Sequence, residues 1–561
     1  MSKKMAKAVS QMNEMNKLRP DEIVTNFMGG DSYKVNPLDT LKLISASSIF
    51  GEASYYRKDV KDGKFSWQKE FTDPAMYAIF SASAGKSTTE VFTEAIDKAL
   101  DYDFGGTLDF AVDLRKTYNM RLNPQVIMVR AAIHPKRADF CNANPGKFAA
   151  VEKLVMSRAD EPLTQLTYYM YINGGKKNKI PTILKKSIAK KLSSLDAYAV
   201  NKYKNHEIGM INGVRISHAN SPVLNELMQT GTVKVTEDRE TWEQKRSAGM
   251  GWREIYESGC MQHMALLRNL RNIFTDVKDT EFCKKVLEDL KGGVLKGKQF
   301  PFRYWNAYQM IEEASGINHQ TLILDALEEC MDIAIENLPK LKGKTMVLSD
   351  NSGSAWHGFT SEYGRTTIAD IDNLSSILIA KASDEGYVGK FGDRLITSPV
   401  SKRNGALAQT KLLSSRGDND VGGGTENGIW LFFKDAIAKK EVYDNIFIFS
   451  DQQAGTGGLY GLNDDDYRSF RCKGHMINVY ALIQEYRKKV NPKVNVFSCQ
   501  TAGYDNVLIP EMSYRTAFLY GWTGKEALFA DAYIKQWDAI EAQKDQEKQA
   551  KKAGRHAVNQ Q

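Results

Sequence analysis

Three short segments of this 561-residue chain place oxygen donors where a cation could be held. Asp350-Asn-Ser-Gly-Ser354 sets one carboxylate and two hydroxyls on a tight turn, directly after the apolar run Thr345–Ser349. Gly422-Gly-Gly-Thr425 precedes a helical stretch that begins at Asn427, and Phe447-Ile-Phe-Ser-Asp451 carries a further carboxylate past a second apolar run. Hard oxygen donors suit a hard divalent cation, Mg²⁺ with Mn²⁺ as the alternative, in octahedral geometry with several waters retained. Each segment alone reads more readily as a turn or a helix cap. Their combination makes Asp350, Ser352, Ser354, Thr425 and Asp451 the candidate ligands.

A second concentration of chemistry is basic. Lys176, Lys177, Lys179, Lys185, Lys186, Lys190, Lys191, Lys202 and Lys204 fall within one stretch in which Asp196 is the only acid. Such a cluster can neutralise phosphates and release counterions. Tyr198 and Tyr203 lie among the lysines and could stack on bases, although packing is the commoner role for tyrosines at such spacing. Arg215-Ile-Ser-His218 extends the basic run. The alternative is a solvated helix face. The net charge of +8 permits a polyanionic partner without requiring one.

The elements that must position these residues come in two styles. From about Pro20 to Leu338 apolar residues recur at three- and four-residue spacing, the helical period. Pro181 to Tyr198 is expected to form one helix, with Leu184, Ile188, Leu192 and Leu195 inward, Lys186 and Lys190 opposite, and Lys185 and Lys191 at the borders. Leu322 to Leu338 is another. Many helices in series suggest an α-solenoid. After Lys344, short apolar runs (Thr345–Ser349, Tyr387–Phe391, Asn445–Ser450, Lys493–Ser498) alternate with helical stretches (Thr366–Ser383, Asn427–Lys440, Cys472–Val490). That alternation predicts βαβ units and a doubly wound parallel sheet, with Arg515–Trp522 as a last strand and ligands outside the carboxyl ends of the strands. The expected boundaries are 1–19 for an N-terminal arm, 20–340 for the helical module, 341–535 for the α/β domain and 536–561 for a charged tail, helical or disordered.

Several function classes lose support. No apolar run can span a bilayer, and Met1–Arg19 lacks a signal-peptide core. The six cysteines form no Cys-x-x-Cys pair, so free thiols in a reducing cytoplasm are expected. Ala84-Gly-Lys-Ser87 hints at a phosphate loop, but Phe80 stands where its first glycine would fall. Asp464-Asp-Asp466 reads as a solvated loop. No serine, cysteine or histidine arrangement suggests a nucleophile with its base.

The order Asp-x-Ser-x-Ser, Gly-Gly-Thr, then a strand ending in Ser-Asp resembles the metal-ion-dependent adhesion site of von Willebrand factor A-type domains. The resemblance implies that Ser352, Ser354 and Thr425 ligate directly, that Asp350 and Asp451 bind directly or through water, and that an open coordination position takes a partner's carboxylate. Glu426 stands where relatives often have Asp. In the helical half, Met264-Ala-Leu-Leu-Arg-Asn-Leu270, Phe300-Pro-Phe-Arg-Tyr304, Ala197-Tyr-Ala-Val-Asn-Lys-Tyr-Lys204 and Leu108-Asp-Phe-Ala-Val-Asp-Leu-Arg115 resemble segments of the TROVE module. With the A-type domain after it, the chain from Pro20 to Trp522 resembles the Ro autoantigen family of RNA-binding proteins. The fold so implied is multidomain: HEAT-like helical repeats closing into a ring, then a doubly wound A-type domain.

The resemblance further implies a non-catalytic protein, monomeric within a ribonucleoprotein. It would bind Y-like structured RNA on the ring's outer surface and single-stranded 3′ ends of misfolded RNA in a basic hole, in cooperation with an exoribonuclease such as polynucleotide phosphorylase. Arg215 and His218 match a segment near the RNA surface, but Met210 stands where relatives carry a second histidine. Arg268 could face the hole or pair between repeats, the latter slightly favoured; Arg303 and His263 are equally open. The competing reading is a metal-dependent protein-docking scaffold. A metal-dependent RNA hydrolase ranks below both, for want of a general base.

Overall fold

The computed structural model describes residues 23–25, 31–34, 36–47, 88–117, 120–174, 180–205, 208–235, 240–297, 299, 301–336, 338–357, 366–415, 420–422, 426–450, 471–472, 476–477, 479–501, 506–507, 509, 512–520 and 526–558. The arm Met1–Arg19, the segment Ala84–Ser87, Asp464–Asp466 and three of the lysines, Lys176, Lys177 and Lys179, lie outside them, as do Thr425 and Asp451. Two compact units divide the chain. One comprises Asn36–Ala334 with Gly358–Thr367; the other comprises Met1–Val35, Ile335–His357 and Ile368–Gln561.

The first unit is helical. The helices used below are, in chain order, α1 Phe104–Lys116, α2 Leu122–Ile133, α3 Lys147–Val155, α4 Glu161–Ile172, α5 Thr182–Ser193, α6 Ala197–Lys202, α7 Met210–Ser217, α8 His263–Asp276, α9 Thr280–Gly292, α10 Pro301–Glu313 and α11 Gln320–Glu336. Neighbours pack in sequence: α1 against α2 and α3, α2 against α4, α5 against α3 and α7, and α8 against α9 and α10. The reason is visible in α8, where Leu266, Leu267, Leu270, Ile273 and Phe274 form one buried face at helical spacing.

The expected single helix over Pro181–Tyr198 is instead two. Helix α5 stops at Ser193, and Asp196 begins α6 by accepting a hydrogen bond from Ala199 N at 2.8 Å. An aspartate competes with the helical backbone and favours the N-cap. The facing within α5 is as its period predicts: Leu184, Ile188 and Leu192 are buried, Lys186 and Lys190 exposed, Lys185 and Lys191 intermediate.

The second unit is built on a sheet. Its strands are β3 Leu341–Asp350, β4 Ser383–Phe391, β5 Leu395–Pro399, β6 Asn445–Ser450, β9 Asn495–Gln500, β11 Met512–Ser513 and β12 Thr516–Tyr520, in the order β11-β12-β9-β6-β3-β4-β5. The five central strands run parallel, whereas β5 and β11 add antiparallel edges that the sequence pattern did not announce. Helices α12 Ile368–Ala382, α13 Ala406–Ser414, α14 Glu426–Lys439, α15 Val479–Lys489 and α16 Glu526–Val558 accompany the sheet. Chain connections leave β3 toward β4 on one side and later return to β6 on the other. The carboxyl ends of β3 and β6 therefore form the switch point at which open α/β sheets bind ligands.

Smaller strands depart from the expectation of helix from Pro20 onward. β1 Ile23–Thr25 and β2 Asp31–Lys34 pair antiparallel, and β2 also pairs with β10 Asn506–Val507. Similarly, β7 Arg471–Cys472 and β8 Met476–Ile477 pair within a stretch expected to be helical, so α15 starts only at Val479.

Candidate metal edge and nucleic-acid interface

Register brings Asp350 to the switch point. Ser349 lies opposite Phe449 of β6, and Asp350 lies opposite Phe391 of β4. Asp350 and Ser352 are fully buried. Asp350 Oδ1 accepts from Ser352 N at 2.9 Å, and Oδ2 accepts from Ser450 Oγ at 2.6 Å. The Ser352 and Ser354 hydroxyl oxygens are 3.2 Å apart. At that distance the two hydroxyls hydrogen-bond to each other, and each oxygen keeps a lone pair with which a cation could be held.

The turn is fixed from beneath. Asn351 N donates to Phe391 O at 2.8 Å. The Asn351 side chain exchanges hydrogen bonds with Asn373 of α12, donating to Oδ1 at 2.9 Å and accepting from Nδ2 at 3.0 Å. Asn373 Oδ1 also accepts from Ser349 Oγ at 2.8 Å. The structure thus brings Asp350, Ser352 and Ser354 together. Ser450 and Thr501 join the same strand-end edge, for Thr501 N donates to Ser450 O at 3.1 Å. The buried Thr501 hydroxyl has no hydrogen-bond partner among the described residues, and nothing in its sequence context marked it.

The basic residues come together on and around α5, a helix without an acid. Lys186 and Lys190 are its exposed crest. On one flank, Lys191 Nζ donates to Ser157 O at 3.2 Å, and Lys116 Nζ of α1 donates to Ser157 Oγ at 2.9 Å. Burial pushes the Lys191 pKa down; Glu161 and Asp160 oppose this, while Lys116 and Arg115 add to it. On the other flank, Lys185 Nζ lies 3.3 Å from His218 Nε2. Arg215 and His218 are exposed at the end of α7, whereas Met210 is buried at its start.

Lys202 reaches the Tyr198 and Tyr203 rings, 5.6 and 5.7 Å from their centroids. Arg158 donates to the Tyr203 hydroxyl at 2.6 Å. The half-buried Tyr203 is therefore a packing and cation–π residue. Lys204 is half-buried, its carbonyl accepting from Met210 N at 3.1 Å. No local pattern marks Lys116 or Arg158, because they reach this surface from distant segments of chain.

Arg268 is exposed, its guanidinium 5.7 Å from the Trp242 ring centroid. Arg303 donates to Gln299 Oε1 at 3.1 Å. His263 is settled as structural: its ring nitrogens lie 2.8 Å from Leu290 O and 2.8 Å from the Tyr304 hydroxyl. Burial holds its pKa down. A Cβ on Gly297 would sit 2.4 Å from that imidazole, so the absent side chain admits the ring.

Residues 216–321, which run from His218 past Arg268 and Arg303, match the model of the TROVE domain. The match covers part of the helical unit and agrees with the expected resemblance to the TROVE module of the Ro autoantigen family. The chain is also similar in fold to a solved structure, "Crystal structure of Deinococcus radiodurans RO (RSR) protein". The likeness covers 79% of this chain and 93% of that one, with a TM-score of 0.53 at 14% sequence identity. A comparison with curated protein sequences gave no match. The architecture, helical repeats and an A-type sheet domain, is the one expected. The TROVE match is what supports RNA binding, and the structural likeness bears on the fold alone. Among the described residues no helix is long and apolar enough to cross a membrane.

Proposed function

We propose that this TROVE protein binds RNA through the ridge formed by α5 and its flanks, without catalysing a reaction on it. The observation that carries the reading is the acid-free helix α5, whose crest is Lys186 and Lys190 and whose borders draw in Lys116 and His218. Lysines on flexible stems bind phosphates with little sequence preference. The favoured ligands are therefore small structured RNA of the Y type and the single-stranded 3′ ends of misfolded RNA. Lys176, Lys177, Lys179, Lys202, Lys204, Arg215 and Arg268 are proposed to widen this surface. An exoribonuclease is the proposed protein partner.

The sheet edge is proposed to hold one Mg²⁺ or Mn²⁺. The chemistry of the donors fits, with the buried carboxylate of Asp350 beside the Ser352 and Ser354 hydroxyls, and Thr425 and Asp451 are proposed as the further ligands. The cation would present an open coordination position to a partner's carboxylate. The converging hydroxyls favour a second reading as well, a docking scaffold acting through this edge.

Replacing Lys185, Lys186, Lys190 and Lys191 with glutamine is expected to weaken RNA binding at low salt. It should also reduce the slope of log affinity against log salt by up to about 3, if each ammonium meets one phosphate. A folded variant with unchanged affinity and slope would refute the assignment. Protein partners lost on chelation, with no RNA recovered from cells, would favour the scaffold.

A further inference from the structure

The closing helix α16 runs from Glu526 to Val558 and has two halves of different character. The first is clamped to the sheet unit. Trp537 meets the Tyr514 ring edge-on at 5.2 Å between centroids and the Tyr533 ring at 6.2 Å. The guanidinium of Arg515 pairs with Glu541 at 3.0 Å and with Asp538, and Tyr514 donates its hydroxyl to Glu541 at 2.6 Å. Lys493 also pairs with Glu541. Buried Arg487 donates to Arg515 O at 2.9 Å, tying the anchor to α15.

After Glu541 no described residue of the helix is buried: Ala542, Gln543, Asp545, Gln546, Glu547, Gln549 and Ala550 are all exposed. About 25 Å of helix, at 1.5 Å per residue, thus continues past the last clamp. Isolated helix of this length is marginal by itself, so the anchor is what gives it a starting direction.

The sequence of the second half is patterned. Lys544, Lys548, Lys551, Lys552 and Arg555 recur at four-, three-, one- and three-residue steps. At 100° per residue these positions share one stripe about 100° wide. The stripe prolongs the line of Ala530, Tyr533, Trp537 and Glu541, the face that makes the anchor. Asp545 and Glu547 fall at its borders. No apolar residue lies within it, so a partner would be held there by charge rather than by burial.

We propose that the basic stripe of α16 is a second RNA-binding surface, which grips the phosphate backbone of an RNA also held by the TROVE unit. This rests on the RNA-binding reading above. Two weak phosphate surfaces on one chain raise apparent affinity through effective concentration, with no new base contact. The stripe would therefore favour longer RNAs and leave sequence preference unchanged.

The test uses the full chain and two single-stranded RNA probes, a short and a long oligouridine, titrated across salt concentrations. In one variant Lys544, Lys548, Lys551, Lys552 and Arg555 are all replaced by glutamine; in a second, the four lysines are replaced by arginine. Thermal melting monitors the anchored unit, and 4-thiouridine in the probes maps crosslinks. The glutamine variant should bind the long RNA about tenfold more weakly at low salt, with a shallower salt slope, and bind the short RNA as the parent does. Arginine should restore binding, and crosslinks should fall between residues 542 and 558. Unchanged long-RNA affinity in the glutamine variant, while the α5 lysine variant is weakened, overturns the stripe alone. A parent chain that binds neither RNA overturns both readings.

Discussion

The Lys185 ammonium nitrogen and His218 Nε2 stand 3.3 Å apart, joining the border of α5 to the end of α7. An ammonium can only donate, so in this arrangement the imidazole nitrogen accepts. His218 ends α7 with φ at 61°, in the left-handed region where glycine is the residue of least strain. A histidine held there gives up backbone stability and places its ring beside a lysine on the basic ridge.

His218→Gly should separate stability from binding. The glycine relieves the left-handed strain and is expected to stabilise the protein by up to about 1 kcal/mol in denaturant titrations. RNA affinity should fall severalfold at the same time. A variant that is more stable and binds RNA as tightly as the parent would remove His218 from the interface.

Metal loading of the sheet edge should be visible as heat resistance. Mg²⁺ at a hundred times its dissociation constant adds about 2.7 kcal/mol to the state that binds it. A rise of about 5 °C or more in the melting of the sheet unit is expected in the parent. Asp350→Asn, compared in the same buffers, should lose the response to Mg²⁺. An equal shift in parent and variant would place the cation elsewhere.

The helical unit contains a pH-sensitive joint. Glu152 of α3 is fully buried, and Gln165 of α4 donates to its Oε2 at 2.9 Å and to Gln125 Oε1 of α2 at 2.9 Å. Burial pushes the Glu152 carboxyl up to about 7, with the Gln165 hydrogen bond pulling the other way. The unfolded chain would titrate this group near 4.5, so the folded state binds the extra proton between those values. Stability from this group is full at low pH, falls as pH rises from about 4.5 to about 7, and is flat above, a total loss of about 3 kcal/mol. Glu152→Gln should remove that slope. Urea unfolding at pH 5 and pH 8 is the measurement, and an unchanged difference between the two would refute the placement of the proton.

What the sequence made legible followed from local pattern. Asn445–Ser450 matched its strand end to end because a fully buried parallel strand is a continuous apolar run. The facing of α5 followed from its period, whereas the break at Asp196 needed the cap to be recognised. β1 and β2 were not legible: they are short, and β2's further partner, Asn506–Val507, is most of a chain length away. At the site, one turn sufficed to group Asp350, Ser352 and Ser354. Lys116 and Arg158 reach the basic surface from distant segments through tertiary packing, and local pattern carries no signal for that. The histidine at 263 was ambiguous because a core ring satisfied by Leu290 and Tyr304 differs from a ligand only in what surrounds it.

The pairing of β2 with β10 also constrains the protein's birth. Asn36–Ala334, the greater part of the helical unit, separates the first segment of the sheet unit from its other two. On a ribosome adding about 5–20 residues per second, Asp31–Lys34 must wait through the synthesis of more than 470 residues, tens of seconds, before Asn506–Val507 exists to pair with it. The helical unit has its whole sequence by then and can fold first. Closure of the small sheet is consequently a late step, open only to chains translated past Val507.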